Sequence, residues 1–205
     1  MVLGVITTAC GGSGYSYLAN KKEKLYFKVP DKWTVFDTKD LLDGADAPKG
    51  TWVRGFVAGD APTVESVFAI GSDVPRGYVE VLPLGSQERD TLNLMTLRGT
   101  NFGADETTGE PIDPLAYEQQ HPDGPLHVLG YDDNVVLKKG PHGVRIRVSI
   151  TPSSSDKPAI VDQTVLVDKA TTKRYVLSIG CSAKCFDANK KVIKEVIDSW
   201  TLEAT

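Results

Sequence analysis

The amino-acid sequence predicts an α+β fold in which an antiparallel β-sheet packs against helices. Three strands, at residues 144–150, 160–167 and 175–181, follow one another with only local turns between them. Each has the period-two or continuous apolar pattern of a buried strand, which favours an antiparallel meander. After residue 185 the apolar positions repeat with the spacing of one helix face instead. They are Val192, Ile193, Val196, Ile197 and Trp200. This closing helix is therefore expected to pack back across the sheet.

Shorter β-rich runs precede this meander. They lie at residues 25–29, 33–36, 52–57, 67–70, 78–82, 126–129 and 135–137. The first two flank a Pro30-Asp31 turn, which predicts a hairpin. Asp132-Asp133 falls between the last two runs and is predicted to form a turn.

Two short helices are predicted ahead of the meander. Thr38 is expected to cap one of them over residues 39–42. Ser86 offers the N-cap of the second, which Gly99 ends. Leu92, Leu94 and Met95 are expected to face inward from this second helix.

Residues 100–125 show no regular pattern, and their composition is polar, acidic and rich in Gly and Pro. Irregular segments of this length within a compact domain are unusual and are often functional or exposed. This loop is therefore the first place where a ligand or partner contact is expected. The candidate residues in or near it are Tyr117, His121, His127 and Asp132.

Length and charge limit the function classes. A chain of 205 residues suits a single domain that buries roughly 70% of its unfolded surface. The net charge of −4 offers no basic surface for a phosphate backbone, so a nucleic-acid partner is not expected. The longest apolar run, residues 2–9, is far shorter than the roughly 20 residues of a spanning helix. No transmembrane helix is predicted.

The N-terminal residues have the pattern of a lipoprotein signal peptide. Ala9 precedes Cys10, and a Gly/Ser linker follows, as in a chain that is cleaved before a cysteine and lipidated on its sulfur. Two features depart from the usual pattern: Thr7 stands where Leu is common, and no Lys or Arg precedes the apolar run. The alternative is a tail on a cytosolic protein. The expected organisation is a signal remnant, lipobox and tether at 1–20, followed by one domain at 21–205.

Cys181 and Cys185 lie at the junction of the last strand and the closing helix. One helical turn brings such positions within about 5–6 Å, near the reach of a disulfide. An extracytoplasmic location favours that pairing and leaves Cys10 as the odd cysteine. A redox-active pair and half of a metal site are the alternatives. The spacing of three residues and the lack of a companion motif speak against both.

No catalytic or cofactor motif stands out in the sequence. His121, His127 and His142 all lie near Pro or Gly turns, and none shares the i, i+4 spacing of a helical metal site. Arg145 and Arg147 lie on one strand face and are candidates for anion binding, although a solvated face is commoner. No nucleophile elbow and no glycine-rich nucleotide loop is present. No metal or other cofactor is expected.

Several stretches together resemble secreted actinobacterial lipoproteins of the PsbP-like superfamily. They are L-Y-F-K-V-P-D-K-W at 25–33, V-L-G-Y-D-D-N-V-V-L-K-K-G-P-H-G-V-R-I-R at 128–147, C-S-A-K-C-F at 181–186 and I-D-S-W-T-L at 197–202. The superfamily includes PsbP and a small eukaryotic Ran-binding import factor. The resemblance implies an α/β/α sandwich with an antiparallel sheet of about six or seven strands between helices. Lys32 stands where the family commonly has Gly. No functional residue carries over by motif.

The resemblance implies a non-enzymatic protein that docks on larger assemblies or holds a small ligand. The sequence thus predicts an accessory or binding protein without catalytic activity, anchored by lipid to the extracytoplasmic face of the cell membrane. Its expected partner is another envelope or membrane protein. The alternative is a cell-envelope hydrolase or metal-dependent enzyme. It would use residues 100–125 as a lid over His121, His127 or Asp132.

Overall fold

The computed structural model describes residues 14–104, 109, 111–137, 140–153 and 156–202 and shows an α+β architecture. Its strands are β1 Tyr15–Asn20, β2 Leu25–Pro30, β3 Thr34–Phe36, β4 Trp52–Val57, β5 Arg76–Pro83, β6 Leu126–Val136, β7 His142–Ile150, β8 Ala159–Val167, β9 Lys173–Ser182 and β10 Thr201–Leu202. Its α-helices are α1 Thr38–Leu41, α2 Ser86–Thr91, α3 Leu94–Arg98, α4 Pro114–Gln120 and α5 Ala183–Ser199. A 3-10 helix covers Glu65–Val67.

The main sheet has seven antiparallel strands in the order β3-β4-β5-β9-β8-β7-β6. The predicted meander of β7, β8 and β9 is confirmed, with Val144 opposite Val165 and Val165 opposite Val176. A second sheet, β1-β2-β10, lies beside α5. The predicted fold class, an antiparallel sheet sandwiched between helices, is therefore confirmed.

The two faces of β9 have different neighbours, as its alternation predicted. Tyr175, Leu177 and Ile179 pack in the core that includes Ile193 and Val196 of α5. The opposite face carries Val176, which packs with Val144, Val165 and Leu97. Helix α5 thus covers one face of the sheet, and the shorter helices lie on the other.

The predicted hairpin between residues 25–29 and 33–36 is wrong. Strand β2 pairs with β1 and β10, whereas β3 pairs with β4. Leu25, Phe27 and Val29 are buried in the core beside α5, so the turn at Pro30-Asp31 carries the chain from one sheet to the other. Strand β1 lies within residues 1–20, the segment predicted as a tether, while Cys10 lies outside the described residues.

Two predictions for residues 37–70 also differ from the structure. Asp37, not Thr38, caps α1, because its carboxylate accepts hydrogen bonds from the backbone N–H groups of Lys39 and Asp40. Residues 67–70 form no strand. Val67 ends the 3-10 helix and is buried, and Phe68 follows it as the C-cap.

The helix predicted from Ser86 to Gly99 is divided into α2 and α3. Asn93 interrupts it, since its side chain accepts from the Thr96 N–H and so starts a new helix. Because of this break, Leu94 and Met95 are exposed rather than inward-facing. Gly85, not Ser86, is the N-cap of α2.

The segment predicted as irregular contains helix α4. Asp113 caps this helix, and Pro114 occupies its first turn, where a missing N–H costs nothing. The two strands predicted at 126–129 and 135–137 are one strand, β6. Asp132-Asp133 is not a turn but lies within β6, beside a register shift. Over the described part of the chain, no helix has the length and apolar character to cross a membrane.

Candidate functional site

The strongest candidate site is a cavity of about 330 Å³ on the face of the main sheet that α5 does not cover. Residues of β5, β8 and β9 form its floor, and the wall includes parts of α1 and the segment after α3. We call this cavity the sheet-face pocket. Its polar lining consists of Arg76, Tyr78, Glu80, Asn101, Gln163 and Ser178.

The alternation of β5 places its polar residues in the pocket. Val79 and Val81 point into the core beside α5, so Arg76, Tyr78 and Glu80 point to the opposite face. The sheet register then extends this polar surface across two more strands. Tyr78 lies opposite Ser178, and Ser178 lies opposite Gln163. The floor is therefore a polar row on this face of the sheet.

Arg76 is a buried cation without an acidic partner in the part of the chain that the structure describes. It is 8% exposed, its Nη1 donates to the Val67 carbonyl at 2.8 Å, and its Nε is buried without an acceptor. Burial lowers the pKa of Arg76 to about 10, so the side chain remains charged at neutral pH. A buried donor without an acceptor costs about 1–3 kcal/mol, which a bound acceptor would offset.

Glu80 lies at the other end of the pocket and has its own partner. The Arg174 Nη2 is 3.7 Å from the Glu80 Oε2. Burial raises the pKa of Glu80, while the guanidinium of Arg174 acts in the opposite direction. Four residues of strand separate Glu80 from Arg76, or about 13 Å. The pocket is thus basic at one end and acidic at the other.

Gln163 joins the pocket floor to the segment that follows α3. It is 1% exposed, its Nε2 donates to the Thr100 carbonyl at 2.6 Å, and its Oε1 accepts from the Asn101 Nδ2 at 2.8 Å. Asn101 adopts a left-handed backbone with φ of 68°, which Asn tolerates better than most residues. These bonds hold one wall of the pocket in place.

Apolar side chains form the outer rim. Phe68 and Ile70 are 50% and 54% exposed, and the Phe68 ring lies against Tyr78 with centroids 5.6 Å apart. Burial raises the pKa of the Tyr78 hydroxyl, which therefore stays protonated at neutral pH. A polar floor under an apolar rim is the arrangement found in small-molecule sites.

The residues predicted from the irregular loop lie elsewhere, along α4 and β6. The rings of Tyr117 and His121 are in contact at 4.6 Å, and the His127 Nδ1 is 3.5 Å from Glu118 Oε1. Asp132 is exposed and accepts from the Asn134 N–H. It is five residues beyond His127 on β6, or about 16 Å.

None of Tyr117, His121, His127 and Asp132 lines the sheet-face pocket. His142 is exposed at the start of β7. In the described ranges, no group of three or more His, Cys, Asp and Glu side chains is placed to hold a metal ion. The hydrolase or metal-dependent alternative would need a site apart from the sheet-face pocket.

Arg145 and Arg147 share one carboxylate of the protein itself. The Arg145 Nε donates to the Asp162 Oδ1 at 2.8 Å, and the Arg147 Nε donates to Oδ2 at 2.8 Å. Asp162 is 1% exposed. The carboxylate satisfies both guanidinium groups, so the predicted anion site is already occupied by an internal partner.

Cys181 and Cys185 form a disulfide that links the end of β9 to the first turn of α5. Ser182 caps the same helix, since its hydroxyl accepts from the Cys185 N–H. The sulfur bridge and the cap together determine how the helix leaves the sheet.

The polar residues that line the sheet-face pocket are not among those predicted from the sequence. One local signal was available: Arg76, Tyr78 and Glu80 alternate with apolar residues within a single strand. That pattern also fits a solvated sheet face. Only the register with β8 and β9 and the wall at Asn101 turn this face into a pocket.

Comparison with known proteins supports the fold. No protein-family model and no curated protein matches the sequence. The solution structure of cyanobacterial PsbP (CyanoP) from Synechocystis is similar, with 14% identity over 96% of this chain and 99% of that chain and a TM-score of 0.52.

Two weaker matches are the Ran-binding protein Mog1p of Saccharomyces cerevisiae and LpqN, involved in cell envelope biogenesis of Mycobacterium tuberculosis. Mog1p has 11% identity over 93% of this chain and 96% of that chain, with a TM-score of 0.46. LpqN has 14% identity over 87% of this chain and 82% of that chain, with a TM-score of 0.43. The CyanoP match shows that this chain has a PsbP-like α+β fold.

Proposed function

We propose that this chain is a non-catalytic binding protein, tethered to the extracytoplasmic face of the cell membrane, that holds a small ligand in the sheet-face pocket. The observation that carries the proposal is the pocket itself, with a charged and hydrogen-bonding floor under an apolar rim. Its volume of about 330 Å³ is within the range of small-molecule sites.

The polar lining supports binding because much of it is held in position by the fold. Gln163 and Asn101 are hydrogen-bonded to each other, and Arg76 is anchored to the Val67 carbonyl. Side chains that are already ordered lose little conformational entropy when a ligand arrives. The floor is therefore preorganised for recognition.

The proposed tether rests on Ala9-Cys10 and the Gly/Ser linker. The disulfide between Cys181 and Cys185 supports an oxidising compartment, because such bonds are uncommon in reducing cytosol. A lipid on Cys10 would keep the domain near the membrane, where a partner protein of the envelope could deliver or receive the ligand. That partner is proposed from the sequence resemblance.

Native mass spectrometry tests the ligand part of the proposal. The natively purified protein is expected to carry a small-molecule adduct, and the Ser178→Phe variant, which fills the centre of the floor, is expected to lose it. Ser86→Phe is the matched control, because Ser86 is exposed on α2 and does not line the pocket. Binding in the pocket is refuted if the native protein carries no adduct or if Ser178→Phe retains it.

Mass analysis of the N-terminus tests the tether. The mature protein from membranes is expected to begin at Cys10 with a diacylglyceryl thioether, and Cys10→Ser is expected to leave the membrane fraction. An unmodified N-terminus at Met1 contradicts the tether while leaving the ligand proposal intact.

A further inference from the structure

We propose that the ligand of the sheet-face pocket is a small organic carboxylate, whose carboxylate group pairs with Arg76 and whose apolar part lies against Phe68 and Ile70. This inference rests on the proposed function, since it names the chemical class that the pocket takes.

Arg76 differs from the other buried and half-buried arginines in its partners. Arg54 on β4 donates to the Thr38 hydroxyl and the Val53 carbonyl. The remaining ones have carboxylate partners: Arg98 with Asp113 and Asp133, Arg145 and Arg147 with Asp162, and Arg174 with Glu80. Among the described residues, Arg76 has none, although it is 8% exposed. Its Nε lacks an acceptor, as does the Nε of Arg174, but Arg174 has Glu80 nearby. A bound anion would supply Arg76 with a charge partner and its Nε with an acceptor.

The charges along the pocket floor determine the direction of the ligand. Arg76 and Glu80 lie at opposite ends of the polar row, with Tyr78 between them. Glu80 is near Arg174, so the acidic end already has a cation, while the basic end has no anion. Attraction to the guanidinium therefore places a ligand carboxylate at the Arg76 end of the pocket.

The charge and the rim of the pocket favour one kind of anion. One guanidinium without a partner matches a single negative charge, as a carboxylate carries, whereas a phosphate dianion would leave one charge unmatched in the pocket. The hydroxyl groups of Tyr78 and Ser178 supply further hydrogen-bonding positions along the floor. Beside Arg76, the half-exposed Phe68 and Ile70 offer an apolar surface to a hydrocarbon group.

The test compares hexanoate with hexanamide, which have nearly the same size and shape but differ in charge. Isothermal titration of the full chain is expected to show about tenfold tighter binding of hexanoate, because a charged hydrogen bond replaces a neutral one. Hexanoate, but not hexanamide, is expected to shift the side-chain Nε–H resonance of Arg76. Equal affinity of the two probes for the native protein overturns the inference, and this comparison needs no variant.

A variant pair assigns the preference to one residue. Arg76→Gln is expected to bind hexanoate and hexanamide equally, whereas Arg89→Gln, an exposed arginine outside the pocket, is expected to keep the tenfold preference. A preference that persists in Arg76→Gln places the anion elsewhere and overturns the inference. If a small-molecule adduct is lost in Ser178→Phe but proves to be uncharged, the inference fails while the proposed function stands.

Discussion

Arg98 and Asp113 form a buried ion pair through two parallel hydrogen bonds. The Arg98 Nε donates to Oδ1 at 2.9 Å, and its Nη2 donates to Oδ2 at 2.6 Å. Arg98 also donates from Nη1 to Asp133 at 2.8 Å. The carboxylates raise the pKa of the guanidinium, with the hydrogen bond to Asp113 as the largest cause. The pair joins the end of α3 to the N-cap of α4, and the hydrogen bond to Asp133 connects the end of α3 to β6 as well.

Replacement of Arg98 with Leu is expected to destabilise the protein by about 3–5 kcal/mol, because it leaves Asp113 buried without its cation. Urea denaturation measures this change. The matched control is Lys194→Leu, which removes an exposed i, i+4 pair with Asp198 and is expected to cost about 0.5 kcal/mol or less. A loss below about 1 kcal/mol for Arg98→Leu would show that the pair contributes little.

Removal of the disulfide is expected to lower the free energy of unfolding by about 2 kcal/mol. The bridge closes a short loop, since Cys181 and Cys185 are four residues apart, and the chain-entropy model assigns short loops the smallest gain. The double variant Cys181→Ala/Cys185→Ala should therefore match the native protein measured in reductant. If alkylation of the unfolded, unreduced native chain labels both cysteines, the bridge is absent.

The central sheet could be predicted from the sequence because its signal is local. Strands β7, β8 and β9 carry their apolar patterns within nine or ten residues each, and short turns determine which strand pairs with which. Helix α5 was equally clear, since Ile193, Val196 and Ile197 lie on one helical face. Both predictions depend on periodicity alone.

Long-range pairing explains what the sequence did not reveal. Strand β2 finds its partners in β1 and in β10, at the far end of the described chain, so adjacency wrongly favoured a hairpin with β3. The pocket depends on similar distant contacts, such as Asn101 with Gln163, which are 62 residues apart. In α4, the Asp113-Pro114 start signal was present but lay within a polar, Gly- and Pro-rich segment.

Replacement of Gln163 with Met is expected to loosen the pocket wall at residues 100–103. The change keeps the side-chain volume but leaves the Thr100 carbonyl and the Asn101 amide without their partner. We expect the free energy of unfolding to fall by about 1–3 kcal/mol. Hydrogen exchange should be faster in this segment than in β9. Gln120→Met, on the exposed end of α4, is the control and should change neither the free energy of unfolding nor the exchange at residues 100–103. Unchanged exchange at residues 100–103 would show that other contacts hold the wall.

Replacement of Glu80 with Gln is expected to stabilise the protein at neutral pH relative to the native chain. Burial raises the pKa of Glu80 in the folded state, and the opposing effect of Arg174 on this pKa is smaller. The folded protein therefore binds the proton more tightly than the unfolded chain, whose glutamate pKa is about 4.3. This contribution to stability is complete below that value and is lost as pH rises through the folded-state pKa.

The pH dependence supplies the decisive measurement. Unfolding free energies of native protein and Glu80→Gln should coincide below about pH 4 and separate in favour of the variant towards pH 7. Asp37→Asn is the control with the opposite sign, because the N–H groups of Asp40 and Lys39 lower the pKa of Asp37. Its stabilising contribution is present above the unfolded-state pKa and is lost as pH falls, so this variant should lose stability relative to native as pH rises. Parallel curves for native protein and Glu80→Gln would mean that Arg174 fully offsets the burial of Glu80, and the acidic end of the pocket would then behave as an ordinary surface pair.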